Sequence, residues 1–304
     1  MLSEFIDNYA VYEYPLAASQ LFFAMLGMGA LLTRRDFVRE ASRPKALFIG
    51  LGFQWFLVPL IAVLVGTLIS MPAGIAAGLV LLAAVPGGTL SNILTLFGRG
   101  NITLSISLTS ITTVASLFVT PLILRLLWSQ HLDDDFTMPT ARIALDIVLT
   151  LILPLMVGML INAYATTEFA ERFSKYSIRL SLMLIVAMVI GAGGSGRLDA
   201  QAYGVIGIVA LVIFAFVTQA SGFLVSRVAG LTSADGLALV VEATFRNVSL
   251  AVAIKAIVFP AEARVLDPVG DAVLFVAMLY GGISMFLTLV PVIAHRRLTK
   301  PPEA

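Results

Sequence analysis

Cysteine is absent from the chain, and charged side chains are few. Without a thiol, the chain can form no disulfide, no thiolate metal site and no cysteine nucleophile. Charged residues make up 12% of the 304 residues and hydrophobic residues 59%, whereas about 25% of an average soluble domain is charged. With a formal net charge of +1, the chain also lacks the excess of basic residues that is typical of nucleic-acid-binding proteins. The composition therefore indicates a protein surrounded by membrane lipid, with no nucleic-acid partner.

Residues typical of catalysis are scarce as well. The two histidines, His131 and His295, lie far apart in the sequence, and neither has a nucleophile or a metal-ligand spacing near it. We therefore expect neither an enzyme nor an enzymatic cofactor. No feature of the sequence indicates an obligate protein partner.

Long apolar stretches dominate what is present. They fall at 15–33, 45–70, 74–97, 101–128, 138–164, 174–195, 201–228, 235–259 and 270–294. A membrane-spanning helix needs about 20 predominantly apolar residues, so the sequence predicts an all-α integral membrane protein with nine transmembrane helices. Residues 1–14 contain no lysine or arginine, and we expect them to be a short extramembrane lead-in rather than a signal peptide.

Positive charges are concentrated in one set of alternate loops. That set contains Arg34, Arg35, Arg39, Arg43, Lys45, Arg99, Arg172, Lys175, Arg179, Arg227, Arg296, Arg297 and Lys300. The opposite set contains Arg125, Arg142, Arg197, Lys255 and Arg264, together with the acidic run 133–135. Because cytoplasmic loops carry the excess of basic residues, the pattern predicts an N-terminus outside and a C-terminus in the cytoplasm.

Two of the apolar stretches are interrupted by polar residues near their middle. Pro86-Gly87-Gly88 breaks the third span, and the segment from Glu242 to Asn247 breaks the eighth. Thr89 to Ile93 aligns with Thr244 to Val248 at an offset of 155 residues, about half the chain. Transporters built from inverted repeats place their sites at such paired interruptions. The sequence therefore predicts an inverted-topology repeat with two broken, crossing helices, although a simple proline kink also explains the first break.

Glu242 is a carboxylate inside an apolar run, and such residues are functional by default. An ionised carboxylate there needs a cation, and Ser91, Asn92, Ser105 and Thr109 carry the oxygen atoms that hard cations accept. Ser105 and Thr109 lie four residues apart and share one helix face. The alternative for these two hydroxyls is a hydrogen bond to the preceding turn of their own helix.

Arg246 follows Glu242 by four residues, which is the spacing of an ion pair within a helix. Arg246 either neutralises Glu242 in this way, takes the place of a metal ion beside it, or faces an anionic substrate, which its fork of donors suits. We expect Thr89, Asn92, Arg246 and Asn247 to contact that substrate.

These motifs resemble the bile acid:sodium symporter family. The resemblance covers most of the chain and depends on Gln54 with Pro59, on Pro86-Gly87-Gly88-Thr89-x-Ser91-Asn92, on Arg99-Gly100-Asn101, and on Glu242 with Asn247. It implies a nine-helix, bacterial-type member of the inner (plasma) membrane, with a panel domain (15–33 and 138–195) and a core transport domain (45–128 and 201–294). It also implies that an organic anion binds between the two domains and is moved across the membrane by alternating access.

The resemblance assigns two sodium sites. The first comprises Ser91, Asn92, Ser105, Thr109 and Glu242. The second comprises Gln54, Glu242 and the backbone near Ala243 and Phe245, with Arg246 standing where the family has glutamine. A permanent positive charge there repels a sodium ion.

The sequence therefore predicts a secondary transporter of a small carboxylate in which Arg246 replaces one of two sodium ions. Two alternatives remain open at this point. One is a carrier that is proton-coupled or uncoupled, and the other is a membrane sensor that keeps the fold and binds without transport.

Overall fold

The computed structural model describes residues 2–33, 44–128, 137–198, 200–260 and 267–299. These residues are almost entirely helical, and their helices are numbered here in chain order. They are α1 (Leu2–Asp7), α2 (Tyr9–Gly29), α3 (Pro44–Leu68), α4 (Ala73–Ala84), α5 (Leu90–Phe97), α6 (Ile102–Leu127), α7 (Thr140–Tyr164), α8 (Thr167–Gly194), α9 (Ala200–Val228), α10 (Ser233–Thr244), α11 (Val248–Val258) and α12 (Pro268–Leu298).

Six helices in the described part of the chain are long and apolar enough to cross a membrane, namely α3, α6, α7, α8, α9 and α12. They confirm the prediction of an all-helical membrane protein. The third and eighth predicted spans are each divided between two shorter helices, α4 with α5 and α10 with α11. The count of nine spans and the inverted repeat stay predictions.

Both predicted interruptions are real breaks in the helices. Helix α4 ends at Ala84, and Val85 is extended with φ −77° and ψ 152°, because a residue before proline is driven out of the helical region. Helix α10 ends at Thr244, and Phe245 leaves it with φ −90° and ψ 95°. Asn247 then accepts a hydrogen bond from the Leu250 N–H at 3.1 Å and so caps the start of α11.

The two breaks lie against each other. The Gly88 N–H donates to the Phe245 carbonyl at 3.0 Å, and the Asn247 N–H donates to the Pro86 carbonyl at 2.9 Å. Gly87 and Arg246 form the antiparallel bridge between these two bonds. The extended segments therefore satisfy each other's backbone groups, as they must where no water is available. We call this pairing the crossing.

Two helices contain a π-helical turn, Phe53–Leu57 in α3 and Val148–Ile152 in α7. Each turn lies just before a proline, Pro59 and Pro154 respectively. Proline removes one backbone donor and collides with the turn that precedes it, and a π turn accommodates this without ending the helix. The first of these turns carries Gln54.

Helix α2 packs closely on α7 and α8. A Cβ atom added to Gly29 would lie 2.2 Å from the Leu155 carbonyl oxygen, and one added to Gly158 would lie 2.3 Å from the Leu26 carbonyl oxygen. Only glycine permits this approach of the two backbones. On its other side α2 packs against α11, so it joins the α7–α8 group to the broken helices.

The N-terminal boundary differs from the prediction. Helix α2 begins at Tyr9 rather than at residue 15, and Glu13 is fully buried within it. The acidic side chain lowers the local hydropathy, and its neutralising partner lies far away in the sequence, so the sequence pattern placed the helix start too late. Other charges used in the topology prediction lie outside the described residues, namely Arg34, Arg35, Arg39, Arg43, the acidic run 133–135, Arg264 and Lys300, as does His131.

The packing of α2 on α7 predicts that Gly158→Ala destabilises the protein. The added methyl group would meet the Leu26 carbonyl oxygen at 2.3 Å and the Ala30 amide nitrogen at 2.8 Å, and backbone atoms cannot move aside without separating the helices. We expect a loss of about 1–3 kcal/mol, measured as a lower unfolding temperature of the purified protein in detergent.

Gly193→Ala is the matched control, because a Cβ at this helical position meets no atom within 4 Å. It should leave the stability unchanged or raise it by about 0.5–1 kcal/mol. Equal unfolding temperatures for the two variants would contradict the close packing.

Candidate functional site

Glu242 lies near the end of α10 and is fully buried. Its carboxylate accepts hydrogen bonds from three hydroxyls, those of Ser91, Thr109 (2.7 Å to Oε1) and Ser105 (3.4 Å to Oε2). The Asn92 Oδ1 atom lies 2.8 Å from the Ser105 hydroxyl and 3.3 Å from that of Thr109. The structure thus brings together the five residues that the sequence predicts for the first cation site.

Three helices build this cluster. Ser91 and Asn92 occupy the first turn of α5, just after the break, and Ser105 and Thr109 occupy one face of α6. The predicted alternative for the α6 hydroxyls is partly present, since Thr109 also lies 3.0 Å from the Ser105 carbonyl oxygen. The helix break is what allows α5 to present its side chains toward α10.

The cluster has more oxygen contacts than hydrogen atoms to fill them. The hydroxyls of Ser91, Ser105 and Thr109 each carry one hydrogen, yet together they make six contacts with acceptor oxygens. The three hydrogens are therefore shared among six contacts, since one hydrogen can serve two acceptors. A positive ion or an added proton would supply what this group of oxygens lacks.

The carboxylate occupies a space that only glycine leaves open. A Cβ atom added to Gly87 would lie 2.0 Å from Glu242 Oε1. The glycine at the crossing therefore has a packing role, because it lets the carboxylate approach the extended segment.

Two cavities lie beside the start of α5. The larger, of about 260 Å³, lies between α2 and α8 on one side and the crossing on the other. Thr89, Arg246 and Asn247, which were predicted to contact substrate, line it together with Gln20 and Ser249. Asn92 lines a neighbouring apolar cavity of about 160 Å³.

Gln20 is a polar lining residue that the sequence analysis missed. It is buried in the middle of α2, lines both cavities, and its Oε1 atom has no hydrogen-bond partner. A neutral amide inside an apolar helix is a signal of the same kind as Gln54, and it would have identified Gln20.

The Arg246 guanidinium is buried and surrounded by oxygen atoms. Its Nε donates to the Leu82 carbonyl at 3.0 Å, and Nη2 donates to the carbonyls of Ala83 (3.0 Å) and Val85. Its Nη1 donates to Gln54 Oε1 at 3.1 Å. Four oxygens therefore hold the guanidinium at the C-terminal end of α4, where the helix dipole favours a cation.

One of these bonds compensates for the backbone donor that Pro86 lacks. Proline has no N–H to offer the Leu82 carbonyl, so Arg246 supplies the missing donor. Ala84, the last residue of α4, accepts from the Thr120 hydroxyl at 2.7 Å. The end of α4 is thus satisfied by side chains from distant parts of the chain.

The helical spacing suggests an ion pair between Arg246 and Glu242. In the described part of the chain, these two side chains do not form an ion pair with N···O within 4.0 Å. The physical reason is that α10 ends at Thr244, so the spacing of four residues no longer brings the two side chains to one face.

The other predicted members of the second cation site are placed as follows. Gln54 is bonded to Arg246, Ala243 is buried in α10, and the Phe245 carbonyl accepts from Gly88 in the crossing. A space of about 10 Å³ remains beside Gln54 and Arg246, which is about enough for one water molecule.

Four charged residues form buried ion pairs that the sequence analysis did not predict. It assigned three of them to loops or to the lead-in and did not consider the fourth. Lys255 lies inside α11 and pairs with Glu13, while Arg197 follows α8 and pairs with Asp271. A lysine inside an apolar helix was the available signal, but its partner lies 242 residues away.

Comparisons with known proteins identify the family of the chain. The profile of the sodium bile acid symporter family matches residues 18–196. A chloroplastic protein of Arabidopsis thaliana, described as a probable sodium/metabolite cotransporter, is 31% identical over 234 residues, covering 76% of this chain and 57% of that protein. An uncharacterized sodium-dependent transporter of Bacillus subtilis is 26% identical over 230 residues, covering 76% and 70%.

The human sodium-dependent organic anion transporter is 30% identical over 207 residues, covering 66% of this chain and 53% of that protein. The chain thus spans little more than half the length of the plant and human relatives. The family and these names describe transporters and not enzymes, as the sequence predicts.

The contacts of Arg246 predict that Arg246→Met lowers stability, because it leaves the carbonyls of Leu82 and Ala83 buried without donors. Each unsatisfied buried polar group costs about 1–3 kcal/mol, which the unfolding temperature in detergent will report. Arg125→Met removes an exposed arginine and should change little. A variant at Arg246 as stable as wild type would contradict the capping role.

Proposed function

Because the chain belongs to the sodium bile acid symporter family, we propose that it is a secondary transporter that carries a small organic anion across a membrane together with sodium. The relatives are named as a probable sodium/metabolite cotransporter, a sodium-dependent transporter and a sodium-dependent organic anion transporter. The observation that carries the proposal is the buried Glu242 cluster, whose oxygens outnumber their hydrogens.

The proposed sodium site comprises Ser91, Asn92, Ser105, Thr109 and Glu242. One carboxylate and four neutral oxygen-bearing side chains suit a hard monovalent cation, because the ion and the carboxylate together carry no net charge into the membrane. Ser91 and Asn92 are in the first turn of α5, so a bound sodium ion also fixes the beginning of that helix.

The anion is proposed to bind where α5 and α11 begin. Leu90 and Val248, the first residues of these helices, line the 260 Å³ cavity, and helix N-termini carry partial positive charge. Thr89 and Asn247 supply polar contacts there, and Asn92 supplies one from the neighbouring cavity. Sodium and anion thus act on the same end of α5, which couples their binding.

Arg246 is proposed to replace the second sodium ion of the family. Its guanidinium lies among four oxygens that a cation requires, and at 4 Å a second positive charge would be repelled by about 4 kcal/mol at an effective dielectric constant of 20. Arg246 then contributes to anion binding as a fixed positive charge, and each transport cycle uses one sodium ion.

We propose nine spans arranged as an inverted repeat, with the panel (15–33 and 138–195) and the core (45–128 and 201–294) moving relative to each other in alternating access. The N-terminus lies outside and the C-terminus in the cytoplasm of a bacterial inner membrane. In support, α2 and α8 form one wall of the cavity and the crossing forms the other.

Flux measurements test the proposed function. Protein reconstituted into liposomes should take up at least one member of a panel of small carboxylates faster with an inward sodium gradient than with choline replacing sodium. Uptake that ignores both sodium and pH gradients would leave an uncoupled carrier, and saturable binding of a carboxylate without flux would favour a sensor.

The sodium site can be tested without a known substrate. Sodium chloride should raise the unfolding temperature relative to choline chloride at equal ionic strength, because a ligand that binds only the folded state stabilises it. Thr109→Val should abolish this stabilisation. Thr113→Val, one turn further along α6 and equally buried, should retain it, and loss in both variants or in neither would contradict the assignment.

Arg246→Gln should admit a second sodium ion. The Hill coefficient for sodium in uptake should rise from about one to about two, because the variant removes the fixed charge and restores an amide oxygen. Arg246→Lys keeps the charge and should behave as a single-sodium transporter. An unchanged coefficient in Arg246→Gln would refute the replacement of sodium by arginine.

A further inference from the structure

Two ion pairs are buried at the end of the protein away from the cavities. Lys255 Nζ lies 2.8 Å and 3.2 Å from the two carboxylate oxygens of Glu13, and both side chains are inaccessible. Arg197 Nη1 lies 2.7 Å from Asp271 Oδ1, with 4% and 2% of these side chains exposed. Neither pair is used by the proposed ion or anion site.

The first pair joins two parts of the proposed transporter that move relative to each other. Glu13 is in the second turn of α2, which belongs to the panel, and Lys255 is near the end of α11, which belongs to the core. The second pair joins Asp271, in the first turn of α12, to the segment between α8 and α9.

Position along the helices places these pairs beyond the crossing. Helix α11 starts at the crossing, after Asn247, and Lys255 is eight residues further on, about 12 Å at 1.5 Å per residue. The apolar cavity extends the other way, to Leu31 at the end of α2 and Leu96 near the end of α5, both of which are at least half exposed.

Apolar packing seals the end that holds the ion pairs. Tyr9, Ala17 and Ala192, on the neighbouring turns of α2 and α8, are fully inaccessible. Two opposite charges in such a dry environment stabilise the structure only while they touch. Once water enters, it hydrates the separated charges. The pair therefore favours a fully closed or a fully open arrangement over intermediate ones.

We propose that the Glu13–Lys255 pair is a latch that closes the outer side of the transporter while the cavities open toward the other side. This inference rests on the proposed transport function. The Arg197–Asp271 pair holds the segment between α8 and α9 in the same closed arrangement.

The latch and the anion cavity share one face of α2. Glu13, Ala17 and Gln20 follow each other at spacings of four and three residues, which align on a helix, and all three are buried. Gln20 lines both cavities. A movement of α2 that parts Glu13 from Lys255 therefore also changes the wall of the cavity.

Cysteine labelling tests the latch, and the chain has no native cysteine to interfere. Ala17→Cys reports access from the outside, one turn below Glu13, and Ile185→Cys reports access from the cavity side. Each cysteine is placed in the otherwise native protein and in Lys255→Met. A membrane-impermeant maleimide is then added to oriented membrane vesicles, on the outer side for residue 17 and on the cavity side for residue 185.

We expect the outer label at residue 17 to react about tenfold faster in Lys255→Met, since breaking a buried ion pair strongly destabilises the closed form. The label at residue 185 should react more slowly, because the same molecules leave the form that is open to the cavity side. This opposite change separates a latch from general loosening, which would speed both reactions.

Two further variants complete the test. The charge exchange Glu13→Lys with Lys255→Glu should restore both labelling rates toward those of the native pair. Tyr14→Phe removes a hydrogen bond from Tyr14 to Asp146 between α2 and α7, within the panel, and should change neither rate.

If Lys255→Met does not yield a monodisperse protein, the milder Glu13→Gln replaces it. Unchanged labelling at residue 17, or faster labelling at both positions, would overturn the latch. Labelling requires neither substrate nor sodium, so this result is independent of the flux and sodium-stabilisation measurements that test the transport function.

Discussion

The structure depends on satisfying backbone polar groups where two helices stop inside the membrane. Each break supplies hydrogen bonds to the other through Gly88 with Phe245 and Asn247 with Pro86. Side chains provide the rest. Arg246 and Thr120 cap α4, and the Tyr280 hydroxyl donates to the carbonyl of Thr244, the last residue of α10, at 2.7 Å. The proposed site for ions and substrate depends on these helix ends being held open and satisfied.

The same constraint separates the two buried charges of the crossing. The Glu242 carboxylate is held by hydroxyls on one side, and the Arg246 guanidinium is held by carbonyls on the other. Each has partners of its own, so the two do not neutralise each other directly. In the proposed transporter, a positive ion beside this hydroxyl-bonded carboxylate is the physical basis for coupling transport to an ion.

Sequence patterns predicted the helix breaks and the members of the Glu242 cluster, because proline, glycine and polar residues are conspicuous inside apolar runs. They did not predict the backbone carbonyls that Arg246 contacts, since its spacing from Glu242 has helical meaning only if the helix continues past Thr244. The pairing of Glu13 with Lys255 was missed for a related reason. Their contact is tertiary, and each residue alone resembles the end of a span.

The tethering of Arg246 to α4 has an electrical consequence. In the proposed cycle a sodium ion arrives from one compartment and leaves into the other, whereas the Arg246 guanidinium, bonded here to Leu82 and Ala83, stays with the protein. One sodium ion accompanied by a monovalent carboxylate then transfers no net charge. Such a transporter draws on the sodium concentration difference alone, and the voltage across the membrane neither drives nor opposes it.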